Sequence, residues 1–160
     1  MELLHWGLHP AASSALRAIE IDPRRIVQTI GFAAASGGTH AQDGATMDGP
    51  YCAATDFSVL HPHHLSPCEI GDFLQHLAAA GFACWYRWPG HDHWPFSDCV
   101  HIHAVYAGCA MKEVLRHQIH DFCHGLNGLA SHTTYGFWHP SDSHIETVRA
   151  LFLAHNPPEN

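Results

Sequence analysis

Two histidines separated by one residue, His101 and His103, lie in the segment VHIHAVY and form the sharpest chemical signal in the chain. Apolar residues alternate along residues 100–106, which predicts a β-strand. Side chains two positions apart on a strand point to the same face, so the two imidazoles are expected side by side. One could bind a metal ion while its neighbour serves as an acid–base group. Alternatively, both are half-exposed strand residues in a chain that has 18 histidines among 160 residues.

A second signal comes from a glycine-rich segment and the strand that follows it. His40 lies in SGGTHAQDG, and Asp56 lies near the start of the predicted strand TDFSVL. Together with one histidine of residues 100–106, these two would supply three zinc ligands and leave a fourth position open for water, as in catalytic zinc sites. In the alternative interpretation, Asp56 caps a turn and His40 is a solvated loop residue.

The elements that must position these residues predict one α+β domain over residues 1–160, with a small antiparallel or mixed sheet and flanking helices. The segment over residues 33–54 is rich in Gly, Ala and Thr and is expected to be a long irregular loop. The patterns predict helices over residues 10–20, 67–80, 110–124 and 144–155, and strands over residues 25–32, 55–60, 82–87 and 100–106. The second helix is expected to begin with a capping box of Ser66 and Glu69 and to end at Gly81.

The composition of the chain limits the classes of partner that it is expected to bind. The net charge is −8 with only seven Lys and Arg residues, which argues against a nucleic-acid partner. No run approaches the roughly 20 apolar residues that a membrane span requires. The N-terminal residues lack the features of a signal peptide, so synthesis in the cytoplasm is expected. The six cysteines contain no CxxC pair and are expected to be free and mostly buried.

Taken in order, SGGTH, AATDFS and HIHAV resemble the zinc peptidases of the Hedgehog/D-Ala-D-Ala-peptidase fold. The resemblance extends over about residues 26–130. It implies that fold and a zinc metallopeptidase that hydrolyses short peptides, above all peptidoglycan stem peptides, in the manner of a carboxypeptidase or endolysin. The lack of a signal peptide fits a phage-encoded endolysin that is released to the cell wall, or a cytoplasmic dipeptidase.

The same resemblance implies roles for individual residues. His40, Asp56 and His103 would hold one zinc ion. His101, beside the metal-bound water, would carry the proton. Asp98 is the second candidate for that role, although it could equally be a turn-capping residue.

The chain departs from the family in the first motif, where the family places Asp seven residues after His. That position is Met47 here, whereas Asp48 is one residue late and Asp56 is sixteen residues from His40. Asp56 has the better context, because it follows Ala-x and opens a strand. We therefore expect Asp56 to be the ligand, residues 43–53 to be an insertion, and Asp48 to be the fallback.

Two other functions fit the sequence. The chain could be a non-catalytic zinc-binding module on the same fold, or an unrelated protein whose histidines sense acid. The remaining histidine groups carry weaker signals. His91 and His93 lie in a Trp- and Pro-rich loop that could line a cleft, and His117, His120 and His124 fall on one face of a predicted helix.

Overall fold

The computed structural model describes residues 7–28, 43–47, 49–89, 100–129 and 132–158, which form an α+β structure, as predicted. None of the helices in these ranges is long and apolar enough to cross a membrane. The helices are α1 (Pro10–Ala18), α2 (Pro67–Ala79), α3 (Glu113–Cys123) and α4 (Asp142–His155), with a 3-10 helix at Pro23–Arg25. The strands are β1 (Ile26–Gln28), β2 (Gly44–Thr46), β3 (Gly49–Tyr51), β4 (Ala54–Ser58), β5 (Phe82–Arg87) and β6 (His101–Tyr106).

Strands β1, β4, β6 and β5 lie side by side in that order as one antiparallel sheet, while β2 and β3 pair separately as a hairpin. β4 and β6 are therefore the central strands, with a hydrogen-bonded neighbour on each side. Every residue of β4 is buried, and so is every residue of β6 after His101. Side chains on such strands are held in fixed positions by their neighbours, which suits a site that needs defined geometry.

Helix α2 forms where the sequence predicts it. Ser66 and Glu69 make the expected capping box, in which each side chain accepts a hydrogen bond from the other residue's backbone N–H. The helix ends before Gly81, whose φ of +99° is a conformation that side chains on other residues disfavour. Its N-terminal cap and its C-terminal glycine thus fix both ends of the helix.

The apolar face of the sheet packs against α2. Phe57 of β4 lies opposite Ile102 of β6, and both are fully buried. Phe73 of α2 contacts Phe57 with ring centroids 5.4 Å apart, and Leu74 is buried beside Cys84 of β5. Burial of these side chains is the main favourable contribution to folding, and it decides which face of each strand is left for polar residues.

The β2–β3 hairpin is closed at its base by Asp43, whose side chain is fully buried. Its Oδ2 accepts hydrogen bonds from the backbone N–H groups of Ala53 and Ala54, at 2.9 and 3.1 Å. Its Oδ1 lies 2.9 Å from Nζ of Lys112, and the backbone N–H of Lys112 donates to the carbonyl of Asp43. One carboxylate therefore connects the hairpin, the start of β4 and the N-terminus of α3.

The free edge of β5 is covered by the chain that follows α3. The hydroxyl of Tyr135 accepts from the backbone N–H of Tyr86 and donates to its carbonyl. The indole N–H of Trp85 donates to the carbonyl of Leu126 at 3.0 Å. These contacts satisfy backbone groups that would otherwise be open to pairing with another strand.

Several predicted boundaries are wrong, each for a local reason. The strand over residues 25–32 begins only at Ile26, because Asp22 caps a 3-10 turn at Pro23. The strand over residues 55–60 becomes Ala54–Ser58, because the Ser58 hydroxyl accepts from two following N–H groups and starts a turn.

The helix over residues 110–124 begins three residues late, since Met111 and Lys112 use their N–H groups on Asn156 and Asp43. The loop over residues 33–54 contains the β2–β3 hairpin, whose glycines hid any strand pattern. The helix over residues 10–20 ends at Ala18, and the last helix begins two residues early at Asp142 behind a Ser141 cap.

Removing the Asp43 carboxylate should destabilise the fold strongly. Asp43→Ala would leave two buried N–H groups without an acceptor and Lys112 without its partner. We expect a loss of about 3 kcal/mol in the free energy of unfolding, measured by chemical denaturation. Asp72→Ala, an exposed carboxylate on α2, is the matched control and should change stability by less than about 0.5 kcal/mol. Equal losses in both variants would contradict a clamping role for Asp43.

Candidate functional site

Asp56 and His103 face each other across the two central strands. They are direct partners in the antiparallel β4–β6 register. Nδ1 of His103 lies 2.9 Å from Oδ1 of Asp56, and both residues are about 95% buried. A carboxylate is buried at this depth only when it is paired, so this contact must satisfy most of the charge of Asp56.

His101 lies on the same face of β6, two residues before His103. Its Nε2 is 3.8 Å from Oδ2 of Asp56, the carboxylate oxygen that does not face His103. The Asp56 carboxylate therefore stands between two imidazoles. His101 is the more exposed of the two, with 12% of its side chain accessible against 4% for His103.

Two further side chains hold the His103 ring in place. Oε1 of Gln118, from α3, lies 3.0 Å from Nε2 of His103. The indole of Trp85, the cross-strand neighbour of His103 on β5, stacks on the imidazole with centroids 6.3 Å apart and an interplanar angle of 26°. Each nitrogen of His103 thus has a defined partner, and its ring plane is fixed by packing.

The pair has the chemistry and spacing of two ligands of a metal such as zinc. Two atoms bound tetrahedrally to zinc at about 2.0–2.1 Å are about 3.3 Å apart, so small side-chain movements would suffice to admit the ion. A ligand histidine typically donates its second N–H to an oxygen acceptor, which Gln118 offers here.

Within the described ranges, no group of three or more His, Cys, Asp or Glu side chains is arranged to hold a metal ion. Asp56 and His103 are two ligands of the predicted three. The third predicted ligand, His40, lies outside the described residues. The described residues therefore bring together two of the three predicted ligands, Asp56 and His103.

The two open interpretations of these residues can now be separated. Asp56 lies in the middle of β4 and is buried, so the interpretation that it caps a turn is wrong. His103 is not a half-exposed strand residue, whereas His101 is partly exposed. Four other residues named from the sequence lie outside the described part of the chain: Asp48, His91, His93 and Asp98.

Sequence reasoning missed Gln118, although its position carried a signal. Leu115, Ile119 and Phe122 form the buried stripe of α3, and Gln118 lies three residues after Leu115 and four before Phe122. A polar residue on an apolar stripe needs a buried partner. The sequence could not name that partner, because the contact joins residues fifteen positions apart on different elements.

The histidines of α3 lie on its exposed side, away from His103. The rings of His120 and His124 stack with centroids 4.2 Å apart, and Nδ1 of His124 donates to the carbonyl of His120. Acids are nearby: Glu113 lies beside His117, and Asp121 pairs with His132. These contacts indicate that the histidines of α3 pair with one another and with acids at the protein surface.

The described cysteines are free thiols, and most are buried as predicted. Burial raises the pKa of the Cys84 thiol far above its usual range and that of Cys109 to about 12. Such groups stay protonated at neutral pH and are poor nucleophiles and metal ligands. Of the cysteines described, only Cys68, in the first turn of α2, is exposed.

Comparisons of the chain with models of protein families, with curated proteins and with solved structures each found no match. Function must therefore be argued from the residues and their geometry.

The thiols should differ sharply in reactivity. An alkylating reagent added to the native protein at neutral pH should modify Cys68 well before Cys84 or Cys109. Cys68 is exposed, whereas burial shields the thiols of Cys84 and Cys109 and raises their pKa values. Digestion and mass spectrometry would give the extent of modification at each cysteine. Alkylation of Cys84 as fast as Cys68 in folded protein would contradict the buried position of β5.

Proposed function

We propose that the chain is a zinc-dependent metallopeptidase of the Hedgehog/D-Ala-D-Ala-peptidase type, acting on short peptides and above all on peptidoglycan stem peptides. The observation that carries the proposal is the apposition of Asp56 and His103 on central strands, with His101 on the same face. The four-stranded antiparallel sheet with helices against it is compatible with that fold. The proposed zinc ligands are His40, Asp56 and His103.

The hydrogen bonds of Asp43 make the zinc site compatible with the unusual spacing of the first motif. Asp43 follows His40 by three positions, and Asp56 follows Ala54 by two. Asp43 accepts a hydrogen bond from the N–H of Ala54, so these two residues are adjacent in space. Counted through that bond rather than along the hairpin, His40 and Asp56 are separated by nearly the seven residues that the family has. Three residues span at most about 11 Å, so the proposal requires the metal to lie within about that reach of Asp43.

Asp56 is favoured over Asp48 as the acidic ligand. It is held against His103 by the strand register, whereas the sequence position of Asp48 is between β2 and β3, away from β4 and β6. The hairpin closure also explains why an insertion of this length can be tolerated between two ligands. A closed hairpin returns the chain to its starting point and leaves the flanking residues adjacent.

The zinc ion would polarise a peptide carbonyl and lower the pKa of a bound water towards neutrality. The chain itself must then move protons. We assign to His101 the transfer of the proton from the attacking water to the leaving amine, because it lies beside Asp56 and is the more accessible imidazole. Asp98 remains the second candidate for this role.

A non-catalytic zinc-binding module on the same fold is the alternative. It requires the same ligands, so metal content alone does not distinguish it from the enzyme. It differs in having no use for His101 as a proton carrier. Hydrolysis measured with and without His101 therefore separates the two functions.

Zinc binding is the first test. The purified protein should retain about one zinc per chain after dialysis, and His103→Ala and Asp56→Ala should lose it, by elemental analysis. His64→Ala, an exposed histidine before α2, is the matched control and should retain the ion. The cobalt-substituted protein should show no thiolate charge-transfer band, since no cysteine is a proposed ligand. Metal-free wild-type protein would eliminate the site and favour an acid-sensing role.

Hydrolysis is the second test. Wild-type protein should cleave D-Ala-D-Ala or muropeptides, and His101→Ala should lower kcat by about 10²- to 10⁴-fold while zinc is retained. The product amine can be quantified by chromatography, with His64→Ala again as the control. Zinc-loaded protein without turnover on any wall peptide would contradict the peptidase and leave the binding module.

A further inference from the structure

We propose that Gln118 is a positioning residue that keeps a hydrogen on Nε2 of His103 and so leaves Nδ1 as the atom available to a metal. The inference rests on the zinc site proposed above and extends it to a helix outside both family motifs. The contact that carries it is the 3.0 Å distance between Oε1 of Gln118 and Nε2 of His103.

The two nitrogens of His103 have different surroundings. Nδ1 faces the carboxylate of Asp56, which is an acceptor and a potential co-ligand. Nε2 faces the amide oxygen of Gln118, which can only accept a hydrogen bond. A hydrogen on Nε2 can therefore be donated to the amide oxygen of Gln118. Nδ1 can then carry either a second hydrogen or a metal ion that it shares with Asp56.

Gln118 is itself held firmly enough to act in this way. Its neighbours Leu115 and Ile119 are buried almost completely, which fixes the rotation of α3 about its axis. The start of α3 is tied to Asp43 through Lys112, which fixes its position along the sheet. The amide group thus approaches His103 from a helix with little freedom to shift.

The packing around His103 prevents its ring from turning away from Gln118. Trp85 stacks on one face of the imidazole, and Trp85 is itself anchored by its N–H bond to Leu126. Rotating His103 to exchange its nitrogens would break the contacts with both Asp56 and Gln118. An oxygen acceptor behind a ligand histidine typically changes metal affinity by 10- to 100-fold, so removing it should have a measurable effect.

The test compares Gln118→Leu with Gln118→Glu. The leucine variant keeps the volume but removes the acceptor, whereas the glutamate variant keeps an oxygen acceptor at the same place. We expect Gln118→Leu to bind zinc 10- to 100-fold more weakly in a chelator competition titration and Gln118→Glu to stay near the wild-type affinity. Gln75→Leu, an exposed glutamine on α2, is the matched control.

A second readout follows the ring directly. Proton and nitrogen-15 NMR of the zinc-loaded wild type should find a hydrogen on Nε2 of His103 that exchanges slowly with water, because Gln118 accepts it. In Gln118→Leu this hydrogen has no acceptor and should exchange faster, whereas Gln118→Glu should resemble the wild type. Thermal unfolding of each variant would report a general loss of packing.

The proposal is overturned if Nε2 carries no hydrogen in the zinc-loaded wild type, or if Gln118→Leu binds zinc as tightly as the wild type. Failure of the zinc site itself is a different result, in which the wild type takes up no zinc at Asp56 and His103 and this proposal is overturned together with the site.

Discussion

The register between β4 and β6 is the constraint on which the candidate site depends. It sets Asp56 opposite His103, and a slip of one residue would turn one of them to the apolar face. That register is itself fixed by the other face, where Phe57 lies opposite Ile102 and both are fully buried. The hydrophobic contacts that stabilise the sheet therefore also determine which polar side chains meet.

Outside the sheet, Asp43 fixes the positions of neighbouring elements relative to one another. Its buried carboxylate joins the base of the β2–β3 hairpin to the start of β4 and, through Lys112, to α3. The same helix carries Gln118 to His103. The residues around Asp56 and His103 are thus connected through one buried charge, that of Asp43.

The sequence predicted the parts of the structure that depend on local patterns. The alternation around His101 and His103 gave the strand and the shared face, and Ser66, Glu69 and Gly81 gave both ends of α2. The β2–β3 hairpin was missed, because Gly44, Gly49 and their neighbours lack the branched side chains that mark strands. Contacts such as Gln118 with His103 join distant segments, and no local pattern encodes them.

The environments of the two histidines explain why the same residue type can take two roles. His103 is enclosed by Asp56, Gln118 and Trp85, which fix its ring and would hold a ligand atom steady. His101 is at the start of β6, closer to solvent, and its Nε2 lies 3.8 Å from the other oxygen of the same carboxylate. A ligand benefits from a ring that cannot move, whereas a proton carrier must reach water and substrate. The strand provides both by burying one end of the His-x-His pair more deeply than the other.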